Sequence, residues 1–344
     1  MSTIENDHWN ERYAKTATPA TTDAATASYI SAVDYSRSPF LHKISISDRL
    51  TGTPEWWLDV WARKFLVPAA DSMLSIGAGL AHAEEHLVAV GYVKHVTAFE
   101  ASPVACEAVK LRVADRDYGN RIEMRSDDIL SSSLKDESFD VVFVQAAIHH
   151  FVEIEKMFAL MHRVLKPGGL LIFDEYCGPD HHMYPDHLVA LMNRINSCLS
   201  PGLRLNHLDG SQRERMPEPS LEWMLNYDPT EGVHASLILP LTHRYFEIVQ
   251  RKDYGGQILR PFFTGIIPNF DFENEKDQTI ARLIALLESE LTSAGAISNH
   301  NVNIVARKRP KPRRSLNVNI GQPIRAFRHR WLKRLNGVIA RIRS

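Results

Sequence analysis

Residues 72–84 read Ser72-Met73-Leu74-Ser75-Ile76-Gly77-Ala78-Gly79-Leu80-Ala81-His82-Ala83-Glu84, and this stretch decides the fold. Met73 to Ile76 is a short apolar run that reads as a buried parallel strand. Gly77 and Gly79 follow at once, and a helical spacing of apolar residues runs through Ala83, Leu87 and Val88. In a doubly wound sheet, strand, glycine turn and helix bring the backbone close to a nucleotide-like ligand, because a Cβ at the turn would hold that ligand away. A lone Gly-x-Gly after a strand is equally a plain βα turn, so the weight rests on its surroundings.

Outward from this stretch, strands and helices alternate. Upstream, Trp56, Trp57, Val60, Trp61 and Phe65 recur at helical spacing after a start signal at Thr53-Pro54-Glu55. Downstream, the spacing predicts a helix over 84–90 ending at Gly91, a strand over 95–99 and a helix over 103–113. Strands follow over 121–125 and 139–144, then a helix over 152–165 stopped by Lys166-Pro167-Gly168-Gly169, and a strand over 170–173. That rhythm implies a parallel sheet covered on both faces. From Tyr176 to about His234 the rhythm breaks, leaving helices at 186–199 and 221–226; this reads as an insertion over the sheet's C-terminal edge. A helix over 235–242, a strand over 246–250, a turn at Tyr254-Gly255-Gly256, a helix over 278–291 and a strand over 302–306 follow.

The 344 residues, 44% of them apolar, suffice for one large domain or a core with an insertion. Cys106, Cys177 and Cys198 have neither metal-like nor disulfide-like spacing and read as reduced thiols of a cytoplasmic protein. The first residues lack the basic and apolar regions of a signal peptide, and no apolar run approaches the ~20 residues of a spanning helix. The segment His8-Trp9-Asn10-Glu11-Arg12-Tyr13 is an aromatic island in a polar stretch and reads as a packing anchor. The net charge of −1 hides an asymmetry. Thirteen Lys or Arg and no Asp or Glu lie between Arg307 and Ser344, which leaves 27 basic against 41 acidic residues in the remainder. Pro310 and Pro312 keep the run 307–314 from forming a helix, so it reads as an extended linker. Beyond Pro323, Ile324, Phe327, Trp331, Leu335, Val338 and Ile342 recur at steps of three or four. We expect a basic amphipathic helix over 324–342, suited to an anionic membrane surface at the inner face. Docking onto the chain's own acidic body and unspecific contact with nucleic acid are the alternatives.

An acidic residue ending the second strand suits a ribose, since a carboxylate there accepts hydrogen bonds from both hydroxyls beside the glycine turn. Glu100 is that residue, about 20 positions after Gly77. With it, the stretch 72–175 resembles the class I S-adenosylmethionine-dependent methyltransferases. The resemblance rests on Leu74-Ser75-Ile76-Gly77-Ala78-Gly79, Ala98-Phe99-Glu100-Ala101-Ser102, Ser126-Asp127-Asp128-Ile129, Phe139-Asp140-Val141-Val142 and Leu165-Lys166-Pro167-Gly168-Gly169-Leu170. It implies S-adenosyl-L-methionine as cofactor, with Gly77, Ala78 and Gly79 along its methionine part. Glu100, with Ala101 and Ser102, would take the ribose, and Asp128, flanked by Asp127 and Ile129, the adenine amine. Gln145 and Ala146 would line the methyl-donor side. Two departures stand out: Ser75 replaces the acidic residue usual two positions before the first glycine, and Ala81 replaces a third glycine.

The fold expected is α/β, a doubly wound, Rossmann-like, seven-stranded, mostly parallel sheet with a helical insertion and a basic C-terminal helix. The divisions expected are an N-terminal lid or extension at 1–52, a cofactor-binding core at 53–175, the substrate-side insertion at 176–234, completion of the sheet at 235–306, and a basic linker and helix at 307–344. Methyl transfer is an in-line displacement that demands alignment and exclusion of water. A base is needed only when the acceptor must lose a proton, and the candidates are His149, His150, Glu175 and Tyr176. His181, His182, Asp186 and His187 cluster in sequence, but no tight pair such as His-x-x-x-His is present, and no metal is expected. The function expected is methyl transfer to a small-molecule or glycan acceptor, with oxygen favoured. Asp174-Glu175-Tyr176-Cys177-Gly178-Pro179 and Tyr254-Gly255-Gly256 resemble methyltransferases of surface-polysaccharide or secondary-metabolite pathways. A nucleic-acid (RNA) methyltransferase and a non-catalytic cofactor-binding scaffold are the alternatives. The first is opposed by the acidic body and by the lack of an Asn-Pro-Pro-Tyr-like segment after the fourth strand.

Overall fold

The computed structural model describes residues 38–216 and 221–313. The aromatic island at 8–13 and the basic segment at 324–342 lie outside the described residues. The strands are β1 (Ala70–Ile76), β2 (Val93–Phe99), β3 (Ile122–Arg125), β4 (Phe139–Gln145), β5 (Leu165–Tyr176), β6 (Phe246–Asp253) and β7 (Asn301–Lys308). They form one sheet in the order β3-β2-β1-β4-β5-β7-β6. The first five strands are parallel, and β7 runs antiparallel between β5 and β6. The strand order reverses between β1 and β4, which is where open α/β sheets bind ligands. This is the doubly wound, seven-stranded sheet expected.

Helices α1 (Trp57–Phe65), α2 (His82–Val90) and α3 (Pro103–Val113) cover one face. Helices α4 (Ile154–Val164) and α7 (Ile238–Tyr245) cover the other. Local chemistry sets their ends. Ser102 caps α3 by accepting from Ala105 N, with Pro103 in the first turn, and α2 stops at Gly91, whose φ is +89°. Helix α4 buries Ile154, Met157, Phe158, Met161 and Val164, one stripe at steps of three and four. The helix expected from Thr53 starts instead at Trp57, and Glu55 turns back to pair with Arg63 at 2.7 Å. Lys166 to Gly169 is not a plain turn but part of β5. Leu165 pairs with Phe139, the register shifts, and pairing resumes at Val141 with Leu170.

A third apolar cluster forms a cap. It joins Leu41 and Ile44 from the helical stretch 39–50, Leu188 and Met192 from α5 (Asp186–Cys198), and Leu259, Phe262 and Phe263 from α8 (Leu259–Phe263). Ala281 and Ile284 of α9 (Glu275–Ser293) complete it; the shorter α6 (Leu221–Tyr227) lies between α5 and α7. The cap thus draws on three separated segments of the chain, of which the insertion is one. Only β6 and β7 of the span 235–306 complete the sheet. Glu288 of α9, wholly buried, ties two of these segments together: it pairs with Arg49 at 2.5 Å and accepts from Gln257 N and Ile258 N at 2.9 and 2.7 Å. The run 307–313 is also not a free linker. Arg307 and Lys308 end β7, and Arg309 N and Arg313 N donate to Tyr245 O and Arg244 O at the end of α7. Among the described residues no helix is long and apolar enough to cross a membrane.

Candidate active site

The C-terminal ends of β1, β2, β4 and β5 meet at the switch point. Gly77 N and Ala78 N both donate to Phe99 O, at 2.8 and 3.1 Å, which fastens the glycine turn to the end of β2. Gly77 has φ +70°, and a Cβ built on it would collide with the Cβ of Ala147 beyond β4, so a side chain is excluded twice over. Ala81, which stands where a third glycine is usual, is also left-handed at φ +51° and is buried against the sheet.

Glu100 is buried at the end of β2. Its Oε2 accepts from Gly79 N at 2.8 Å and its Oε1 from Ser102 N at 3.0 Å. The carboxylate therefore ties the glycine turn to the start of α3, and it keeps acceptor capacity for a ligand hydroxyl. Burial pushes its carboxyl above the usual range, against the pull of the hydrogen bonds from Ser102, Gly79 and Ala101. Asp127 and Asp128 are exposed beyond β3, while Ile129 is buried in the core. Asp127 is held by Arg125 at 2.6 Å, and Asp128 accepts from Leu130 N and Ser131 Oγ, so both shape their own turn. Gln145 is half-buried at the end of β4 opposite Asp174, and Ala146 is exposed at φ +51°.

One carboxylate that the sequence reading did not single out lies beneath the glycine turn. Glu84, in the first turn of α2, is buried and accepts from Ser75 Oγ at 2.5 Å. A carboxylate from the helix thus stands beside the serine that replaces the usual strand acid. Burial, aided by the charge of Glu100, pushes Glu84 up to about 7.

On the acceptor side, Glu175 near the end of β5 is buried and fully engaged. Its Oε1 accepts from Ala147 N and from Ile148 N, the latter at 2.7 Å, and its Oε2 faces His149 Nδ1 at 2.6 Å. It therefore fixes both the backbone turn after β4 and the imidazole that the turn carries. The other His149 nitrogen, Nε2, faces Glu231 Oε1 at 3.5 Å. His150 lies beside it, ring centroids 4.3 Å apart, with Nδ1 on Thr230 Oγ1 at 3.1 Å and Nε2 3.8 Å from Glu231 Oε2. Burial works against charge on His149, but Glu175 and Glu231 outweigh it and raise its pKa. Burial and the neighbouring His149 push His150 down to about 4. Burial opposes ionisation of Glu231 too, yet the His182 hydrogen bond and the charges of His149 and His150 hold it well below the usual carboxylate range.

Of the four catalytic candidates, His149, His150 and Glu175 converge. Tyr176 sits at their border in a packing role: its hydroxyl donates to Pro179 O at 2.9 Å, its ring stacks on His182 at 3.9 Å, and burial pushes its pKa up. The sequence cluster of histidines separates. His182 Nε2 reaches Glu231 at 2.7 Å and His181 Nδ1 reaches the Glu231 carbonyl at 3.1 Å, whereas Asp186 and His187 begin α5. Glu231 and Thr230, some 80 positions after the histidines, carry no local pattern that would have announced them. An open groove of about 310 Å³ lies at the opposite edge between Phe65 and Gly169. It is remote from every group above, and ligands of open α/β sheets bind at the carboxyl ends of the strands.

Comparison with known proteins agrees with this geometry. Residues 74–173 match a family model described as a methyltransferase domain. With the strand order and the glycine turn, this makes the segment a class I S-adenosylmethionine-dependent methyltransferase domain. The demethylmenaquinone methyltransferase of Clavibacter sepedonicus is 30% identical over 128 residues, 37% of this chain and 50% of that protein. Phosphoethanolamine N-methyltransferase 2 of Caenorhabditis elegans is 30% identical over 105 residues, 30% of this chain and 24% of that protein. The solved phosphoethanolamine N-methyltransferase 2 of Haemonchus contortus, in complex with S-adenosyl-L-methionine, aligns over 89% of this chain and 60% of that one, with 18% identity and a TM-score of 0.43. The chain spans about half the length, or less, of the curated relatives it matches.

Proposed function

We propose that this chain transfers a methyl group from S-adenosyl-L-methionine to the oxygen of a small-molecule or glycan acceptor held between the sheet edge and the cap. The cofactor lies across the ends of β1, β2 and β4. Gly77 to Gly79 give its methionine part room, Glu100 takes the ribose hydroxyls, Asp128 and Ile129 border the adenine, and Gln145 and Ala146 flank the sulfonium. The observation that carries the reading is Glu175. One buried carboxylate orders the Ala147 and Ile148 amides and orients His149 in the same stroke. As the new O–CH3 bond forms, the CH3–S bond breaks, the sulfonium becomes the thioether of S-adenosylhomocysteine, and the hydroxyl proton must leave. A carboxylate accepts only, so Glu175 keeps the proton of His149 on Nδ1, and the Nε2 lone pair is the basic atom on the acceptor side. That lone pair activates the acceptor.

Two measurements test this. S-adenosylhomocysteine should bind the full chain, and Glu100→Ala should weaken it by about 1 to 3 kcal/mol, the range for hydrogen bonds to a charged group. Equal affinity for the two proteins removes Glu100 from the ribose. His149→Ala should lower methyl transfer about 100-fold or more while leaving cofactor affinity in place. An amine needs no such help, so near-normal turnover in His149→Ala would argue for a nitrogen acceptor.

A further inference from the structure

His149, His150 and Glu231 offer ligand atoms that all lie within 4.8 Å of one another. His149 Nε2 is 3.5 Å and His150 Nε2 3.8 Å from the two oxygens of the Glu231 carboxylate. Two ligand atoms each about 2.1 Å from a tetrahedral ion stand about 3.4 Å apart. Each imidazole therefore already stands from the carboxylate at nearly the spacing that a shared ion imposes.

The outer bonds point the same way. The Glu175 carboxylate accepts from His149 Nδ1 at 2.6 Å, which leaves Nε2 as that ring's lone-pair atom. Thr230 Oγ1 gives its own hydrogen to Asp228 Oδ1 at 2.8 Å. It can then only accept from His150 Nδ1, at 3.1 Å, and the lone pair of that ring is on Nε2 as well. His182 Nε2, 2.7 Å from Glu231 Oε1, orients the carboxylate. Imidazoles anchored through one nitrogen, and a carboxylate held by an outer partner, are how proteins preset metal ligands.

We propose that His149, His150 and Glu231 bind one divalent first-row transition metal ion, zinc being the test case, at the acceptor end of the methyl-transfer cleft. Two imidazoles and one carboxylate are a ligand set that suits zinc and leaves at least one position open. The acceptor hydroxyl takes that position. Its proton, made acidic by the ion, passes to solvent water, the oxygen forms its bond to the methyl carbon, and the CH3–S bond breaks to give the ether and S-adenosylhomocysteine. No oxidant or reductant enters. The activation assigned to His149 then runs through the ion it holds. This role rests on the methyl-transfer reading; the metal site itself does not.

The test uses the full-length chain, stripped with chelator and dialysed, then titrated with zinc by calorimetry and metal analysis. We expect one equivalent to bind. Glu231→Gln and His150→Ala should lose it while keeping their circular dichroism and their affinity for S-adenosylhomocysteine, which rules out misfolding. Thr230→Val removes no ligand, only the outer acceptor, and should weaken zinc about 10- to 100-fold. Cobalt in place of zinc should give visible d–d bands that vanish in Glu231→Gln. The proposal is overturned if the folded wild type takes up no zinc, or if Glu231→Gln and wild type bind it equally. Methyl transfer that persists undiminished in metal-free protein retires the ion's catalytic role and leaves the methyltransferase reading standing. One bound zinc in a protein that transfers no methyl group leaves the site and retires that reading.

Discussion

Replacing Glu84 by Gln exchanges a buried carboxyl for an amide of the same shape, and its consequence depends on pH in a calculable way. Glu84 is 3% exposed and holds one hydrogen bond from Ser75 Oγ, which an amide oxygen also accepts. Burial and the charge of Glu100 lift its carboxyl from 4.5 to about 7. An acid raised in the native state is ionised first in the unfolded chain. As pH climbs past about 4.5 the unfolded chain releases the proton while the native chain keeps it, so stability falls until about 7 and is level above. At 1.36 kcal/mol per unit, the loss at pH 8 is about 3 kcal/mol. The variant lacks this proton. It should match the wild type near pH 4 and exceed it by up to about 3 kcal/mol at pH 8. Asp174, also pushed up to about 7 by burial, slopes the same way in both proteins and cancels in the difference. Urea unfolding of the two proteins in half-unit steps from acid to pH 8 measures it. A stability difference constant across the whole range, or a variant weaker at pH 8, would refute the reasoning.

Four further outcomes are expected. Glu175→Gln keeps an oxygen for the two amides but turns an N–H toward His149 Nδ1, so turnover should fall about 100-fold with S-adenosylhomocysteine affinity unchanged in calorimetry. Gly77→Ala meets both a left-handed φ of +70° and the Cβ of Ala147, and should cost about 2 kcal/mol or more in denaturation while abolishing cofactor binding. Arg49→Met leaves the buried Glu288 without its cation and should destabilise by about 3 kcal/mol, with loosened cap segments visible in hydrogen exchange. A chain ending at Arg313 keeps β7 whole, and should melt with the full-length protein yet lose co-sedimentation with anionic vesicles at low salt.

The parts of this protein legible in its sequence are those set by neighbours along the chain. Ser102-Pro103 announces α3 because a cap and a first-turn proline act within four residues, and Gly91 ends α2 because the left-handed conformation it adopts is cheap only for glycine. The β-branched and aromatic run at β4 and the Gly77 turn place the sheet, its switch point and Glu100 together. The cap's apolar cluster joins residues near 41, 188, 216, 262 and 284, a packing that no local periodicity encodes. The site divides in the same way. His149 and His150 can be singled out by their place after β4, but what each nitrogen does is set by Glu175, Thr230 and Glu231, brought to them by the register of β5 and the fold of the 228–234 loop. Ser75 looked like a missing acid until α2 packed on β1 and laid Glu84 against it. Hydrogen bonds, burial and charge act through space over a few ångströms, so which group is acid, base or ligand is decided only once the tertiary structure brings distant residues within that range.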